Sequence, residues 1–169
     1  MKDNKVLHIT IPLLLVVLAS TSCTFEFIRP LPPTEVAFKS FHGRYVTAMG
    51  EDDNWVLRQE TGLSGCGWFT QHHLANGKIA LETCHGRYVT APQNGTTRRD
   101  WMLGQESELG KCEQFDLYDL GSERVAFKTC ADKFFTAGDN NWPPGLEWSV
   151  IGEADNMEAW EIFTVLRQP

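Results

Sequence analysis

The stretch His42–Ala48, HGRYVTA, recurs letter for letter at His85–Ala91, and a relaxed copy, ADKFFTA, stands at Ala131–Ala137. Working outward from each copy gives a common frame. Val36 opens VAFKS, Ile79 opens IALET and Val125 opens VAFKT. Nine residues after each start comes an aromatic, Tyr45, Tyr88 and Phe134, and three residues later Ala48, Ala91 and Ala137. A second block follows, in which WVL, WML and LEW begin at Trp55, Trp101 and Leu146. Fourteen residues after each stands another large aromatic, Phe69, Phe115 and Trp160. The same unit is written three times.

Each unit holds four short apolar runs divided by Gly, Asn, Asp and Pro clusters, with no helical period, which predicts strands joined by turns. The expected strands are 36–40, 44–48, 55–60 and 67–73, then 78–83, 87–91, 101–105 and 113–119, then 124–129, 133–137, 146–150 and 159–166. Three four-stranded units are too few for a propeller, which needs at least four blades. They suffice for an all-β β-trefoil, twelve strands in three pseudo-symmetric four-stranded repeats, with six strands in a barrel and six in a hairpin cap. One unit alone cannot bury its apolar face, whereas equivalent positions around a threefold axis fill equivalent space. The repeated residues therefore read first as packing elements, and Trp55 and Trp101 as core.

The chain has 169 residues, 42% hydrophobic, enough for one domain with a real core, and carries a formal net charge of -7. That charge repels phosphate backbones, so no nucleic-acid partner is expected, and Arg98-Arg99 reads as a solvated loop. Lys2 and Lys5 precede the apolar run VLHITIPLLLVVLA and the small residues Ser20-Thr21-Ser22, so residues 1–22 read as a signal peptide. Cys23 then resembles the lipidated cysteine of bacterial lipoproteins. Ser20 occupies the place where that pattern has Leu, which keeps simple secretion open. Residues 23–34 are a lipid-anchored or flexible linker, and 35–169 the folded domain. The expected location is the cell envelope or the exterior, with a membrane contact only through the lipid.

Setting Cys23 aside leaves Cys66, Cys84, Cys112 and Cys130, an even set suited to an oxidising compartment. Cys66 and Cys112 are repeat-equivalent, as are Cys84 and Cys130. At the third junction the same alignment places Met157 and Phe41, so where one cysteine is lost its neighbour is lost too. This favours 66 with 84 and 112 with 130, with two other pairings formally open. The favoured pairing requires hairpin loops centred on Ala75 and Gly121.

VAFKSFHGRYVTA, KIALETCHGRYVTA and RVAFKTCADKFFTA resemble the repeats of fascin-like β-trefoil domains, of the actin-crosslinking-like group, over about residues 35–169. Fascin proper bundles actin through several trefoils with basic surfaces. A single acidic trefoil bearing an export signal departs from that, so actin is not the expected partner. Bacterial fascin-like domains are similar to accessory modules of exported proteins, which implies carbohydrate or surface binding. The Gln-x-Trp signature of ricin-type trefoil lectins is missing.

The remaining chemistry reads as structural. His42 and His85 are related by the repeat, which suits a turn element better than half of a site. His72 and His73 are adjacent on a strand and point to opposite faces, so they cannot share a metal. Ser64 in GLSGCG does not match the nucleophile elbow. No catalytic residue, metal or cofactor is expected. The loop GDNNWPPG, 138–145, is the candidate contact: Trp142 offers a face for a sugar ring, and Asp139, Asn140 and Asn141 offer polar groups for its hydroxyls. The expected function is a non-catalytic, monomeric, exported module binding a glycan or other extracellular surface. A protein-interaction or envelope scaffold is the alternative, and an accessory hydrolase a third reading.

Overall fold

The computed structural model describes residues 31–168. The expected signal segment, Cys23 and most of the linker lie outside the described residues. The strands are β1 (Thr34–Lys39), β2 (Tyr45–Ala48), β3 (Leu57–Glu60), β4 (Trp68–His73), β5 (Ile79–Glu82), β6 (Tyr88–Thr90), β7 (Gly104–Glu106), β8 (Asp116–Asp119), β9 (Arg124–Lys128), β10 (Phe134–Ala137), β11 (Val150–Ala154) and β12 (Phe163–Arg167).

Six of them close on themselves. Antiparallel pairs run β12–β1, β1–β4, β4–β5, β8–β9 and β9–β12. The gap between β5 and β8 is bridged where Ile79 and Phe115 exchange both backbone hydrogen bonds, at 3.0 and 2.8 Å. The remaining strands form the hairpins β2–β3, β6–β7 and β10–β11, which cap one end. Leu57 N–H donates to Leu103 O and Leu103 N–H to Val150 O, both at 3.0 Å, tying the hairpins to one another around the axis. This is a β-trefoil.

The core follows the repeat. Val36 and Phe38, Ile79 and Leu81, and Val125 and Phe127 point inward from the first strand of each unit, and Phe69, Phe115 and Phe163 from the fourth. Val46 with Leu57, Val89 with Leu103, and Phe135 with Val150 fill the cap, and Ala48, Ala91 and Ala137 sit where the hairpins meet. Size is traded between copies: the third unit has the large Phe135 beside the smaller Val150, which keeps total volume matched. The cavity left along the axis is only about 10 Å³ and lined wholly by apolar side chains, so it offers a water no polar partner.

Two expectations about the third strand of the units are corrected. In the second unit, 98–101 form a short 3-10 turn, capped by Thr97 and Asp100, and the strand begins at Gly104. In the third unit the strand is Val150–Ala154 rather than 146–150. The repeat-equivalents of Trp55 and Leu57 are thus Trp148 and Val150, because the longer loop carrying Pro143-Pro144 displaces the register. Trp55 and Trp101 are half-buried, not core; the buried position is two residues on, at Leu57 and Leu103. Phe163, not Trp160, is the partner of Phe69 and Phe115.

Candidate functional site

The two disulfides join Cys66 to Cys84 and Cys112 to Cys130, with Cα atoms 5.0 and 5.1 Å apart. The loop-centre condition does not hold. Pairing of Thr70 with Glu82 and of Asp116 with Lys128 centres the loops on Asn76 and Ser122. The bridges form despite this shift because each cysteine lies beyond the ladder: Cys66 sits in the 3-10 turn Gly65–Gly67, and Cys84 follows the end of β5. Each bridge staples the last strand of one unit to the first strand of the next.

Counting back three residues from Phe69, Phe115 and Phe163 places Trp160, not Met157, at the third cysteine-equivalent position. Its counterpart is Phe41. Both are exposed, Phe41 by 61% and Trp160 by 36%. An apolar clasp replacing a disulfide would bury its rings, and this pair does not. His42 stands between them, its ring centroid 5.6 Å from Phe41, 5.2 Å from Trp160 and 5.9 Å from Trp148. Arg44 lies over Trp148 at 4.2 Å. The third junction is therefore an aromatic surface where the other two are covalent.

The histidines have the structural role expected of them. His42 Nε2 is 3.0 Å from Ala137 O, and His85 Nε2 is 3.4 Å from Ala48 O, so each hooks its repeat onto the preceding one. Arg44 and Arg87 repeat the pattern, donating to Gln59 O and Gln105 O while stacking on Trp148 and Trp55. Among the described residues, Cys66, Cys84 and His85 bring their ligand atoms within 4.8 Å, but the two sulfurs are bonded to each other and offer no thiolate. His72 pairs with Glu82 at 2.8 Å while His73 meets Gln71.

The loop 138–145 divides. Trp142 is buried, grouped with Leu146, Ile151, Trp101 and Met102, with Arg98 over its ring at 4.6 Å. Its indole lies so close to Gly138 that a Cβ there would come within 2.4 Å of the ring. The proposed stacking face is thus covered, a correction forced by the apolar shelf that β11 and the 98–101 turn provide. Asn140 and Asn141 remain exposed and Asp139 is half-buried. Asn141 donates from its side chain and backbone to the Asp139 carboxylate, both at 2.9 Å. The Asn141 side-chain bond, the backbone bond and nearby His42 hold the Asp139 carboxyl below the usual range. The polar tip of this loop therefore borders the aromatic surface, since Trp148 N–H donates to Asp139 O at 3.3 Å.

A groove of about 530 Å³ opens beside Phe41, lined also by Lys39, Gly43, Arg124, Ile162 and Thr164. Sequence reasoning missed this region because Phe41 was matched with Met157. The alternation of Phe163 and Val165 as buried residues is the signal that would have found it.

No family model matches the chain, and no curated protein matches it. Solved structures do. The chain is similar to ThreeFoil, a designed threefold-symmetric protein, at 15% identity and a TM-score of 0.64, over 79% of this chain and 99% of that one. It is similar to SeviL, solved bound to an asialo-GM1 saccharide, at 6% identity and a TM-score of 0.62, over 82% and 100%. It also matches the GlcNAcα1-4Gal-releasing endo-β-galactosidase of Clostridium perfringens at 8% identity and a TM-score of 0.61, over 80% of this chain and 33% of that one. At these identities the likeness establishes the fold.

Proposed function

We propose that this chain is a non-catalytic, monomeric binding module of the fascin-like type that recognises a glycan or another extracellular surface through its third junction. The observation that carries this reading is the exposed pair Phe41 and Trp160 at positions that hold a disulfide in both other copies. Sugar rings present C–H faces that stack on aromatic side chains, and Asp139, Asn140 and Asn141 stand close by to accept and donate hydrogen bonds. The filled interior supports a surface site. Saccharide-bound SeviL and the galactosidase, as fold neighbours, support the same ligand class.

The two disulfides fit an oxidising location, and attachment through a lipid on Cys23 is part of the proposal. Mass spectrometry of the mature N-terminus tests it: a diacylglycerol adduct on Cys23 is expected, and an unmodified terminus elsewhere rejects it. The binding claim is tested on a glycan array with wild type and the Phe41→Ala, Trp160→Ala double variant. Signal lost in the variant, with its circular dichroism unchanged, is expected. An array without signal for the wild type overturns the glycan reading and leaves the scaffold alternative.

A further inference from the structure

The three junctions carry three equivalent rows of side chains on the outer face of the barrel, each crossing three hydrogen-bonded strands. At the first junction Thr70 pairs with Glu35 on one side and Glu82 on the other. At the second, Asp116 pairs with Lys128, and Lys78, the residue before β5, reaches its other side beside the Ile79–Phe115 bridge. At the third, Thr164 pairs with Lys39 and with Arg124. Directly paired residues point to the same face. The rows therefore read Glu-Thr-Glu, Lys-Asp-Lys and Lys-Thr-Arg.

In the first two rows every charged side chain has a polar partner, within the row or just beside it. Thr70 Oγ1 donates to Glu35 at 2.6 Å, and Glu82 accepts from His72 at 2.8 Å. Asp116 sits 2.6 Å from Lys78 Nζ, and Lys128 reaches Asp132 at 2.6 Å. In the third row the central carboxylate is replaced by a hydroxyl, and among the described residues neither Lys39 nor Arg124 forms an ion pair. Two cations separated by two strand spacings, roughly 10 Å, thus flank an exposed threonine with no anion between them, in a molecule whose formal net charge is -7. All three side chains line the groove that Phe41 borders.

We infer that the Lys39-Thr164-Arg124 row is an anion subsite that takes the carboxylate of an acidic sugar, a uronic-acid-bearing saccharide, while the sugar ring lies against Phe41. Asp116 shows part of the geometry from within: its carboxylate, held by Lys78 while Lys128 turns to Asp132, fills in the second row the place the ligand's carboxylate takes in the third. Arg124 and Lys39 donate charge-assisted hydrogen bonds, and the Thr164 hydroxyl adds a donor between them. This deepens the binding-module reading and rests on it, naming the ligand class and the side of the aromatic surface on which it sits.

The test uses a defined oligogalacturonate and the same oligomer after reduction of its carboxyl groups, titrated calorimetrically into the folded protein at low and moderate salt. The wild type is expected to bind the acid at least about tenfold more tightly than the reduced oligomer, with affinity falling as salt rises. Thr164→Asp, which copies the second row and supplies an internal carboxylate at an exposed position, is expected to abolish that preference; Lys39→Gln with Arg124→Gln should do the same. Equal affinity for the two oligomers, or an acid preference untouched by Thr164→Asp, overturns the inference. Array binding of neutral glycans that depends on Phe41 and Trp160, together with no uronate preference, overturns the acidic-sugar subsite alone. Absence of binding to every saccharide overturns the glycan reading with it.

Discussion

His42 Nε2 lies 3.0 Å from the carbonyl oxygen of Ala137, joining the first repeat to the third across the one junction that has no disulfide. The same ring is the centre of the exposed aromatic group. One side chain thus serves both the closure of the trefoil and the surface we propose as the ligand contact.

His42→Ala is therefore expected to cost stability and binding together, whereas His85→Ala costs stability alone. Each loses one inter-repeat hydrogen bond, worth about 1 kcal/mol, read as a shift in the urea midpoint. Glycan affinity unchanged in His42→Ala would separate the ring from the binding surface.

Replacing Cys66 and Cys84 by serine should lower stability by about 3 kcal/mol on the chain-entropy estimate, and replacing Cys112 and Cys130 by a similar amount. The complementary variant adds a bridge. Phe41→Cys with Trp160→Cys is expected to cross-link spontaneously on oxidation, because these are the positions that the other junctions already join. The product should gain stability, up to on the order of 4–5 kcal/mol for so long a loop, and lose saccharide binding. Two free thiols by mass spectrometry after oxidation would reject the equivalence.

Trp142→Ala empties a packed site between Gly138 and Ile151 and is expected to destabilise by about 3–5 kcal/mol. Gly138→Ala should also destabilise, since its Cβ would meet the indole at 2.4 Å. Asn140→Ala, at the exposed tip of the same loop, should leave the denaturation midpoint within about 0.5 kcal/mol of wild type. A stable Trp142→Ala variant would mean that the ring is dispensable to packing.

Asp100 accepts from the backbone N–H groups of Thr97 and Thr96 at 2.8 and 3.0 Å, and these bonds, Thr97's first, hold its carboxyl below the usual aspartate range. A carboxyl depressed in the folded state supports the turn above its unfolded value and ceases to do so as pH falls through the folded one. Amide protection around Thr97–Met102 is thus expected to persist from neutral pH down to the ordinary aspartate range and to fade only below it. A carboxyl titration followed by NMR with its midpoint at or above that range would contradict the bonding.

The fold was legible because symmetry printed it three times. The runs from Val36, Ile79 and Val125 share one spacing, and the alanines Ala48, Ala91 and Ala137 fall at the same buried meeting point. The cysteine pairs were legible for the same reason. Trp160 and Trp142 were not. Loop 138–148 is longer than its counterparts, so aligning the third copy from Leu146 instead of Trp148 set it two residues early and matched the exposed Trp160 with Phe69 and Phe115, while the polar and proline neighbours of Trp142 in sequence point to a surface ring that the fold buries. The Lys39-Thr164-Arg124 row was invisible for a different reason. Its members come from three strands far apart in sequence, and only the register between strands lines them up.

A ring fastened at two of its three joints has a determined place to come apart. With the other two seams between units held by sulfur, the seam where β12 meets β1 is the one at which two units can part without breaking a covalent bond. A saccharide lying across Phe41, Thr164 and Arg124 would span that gap and serve as the missing fastener, so occupancy should slow amide exchange in β1 and β12 more than anywhere else in the molecule.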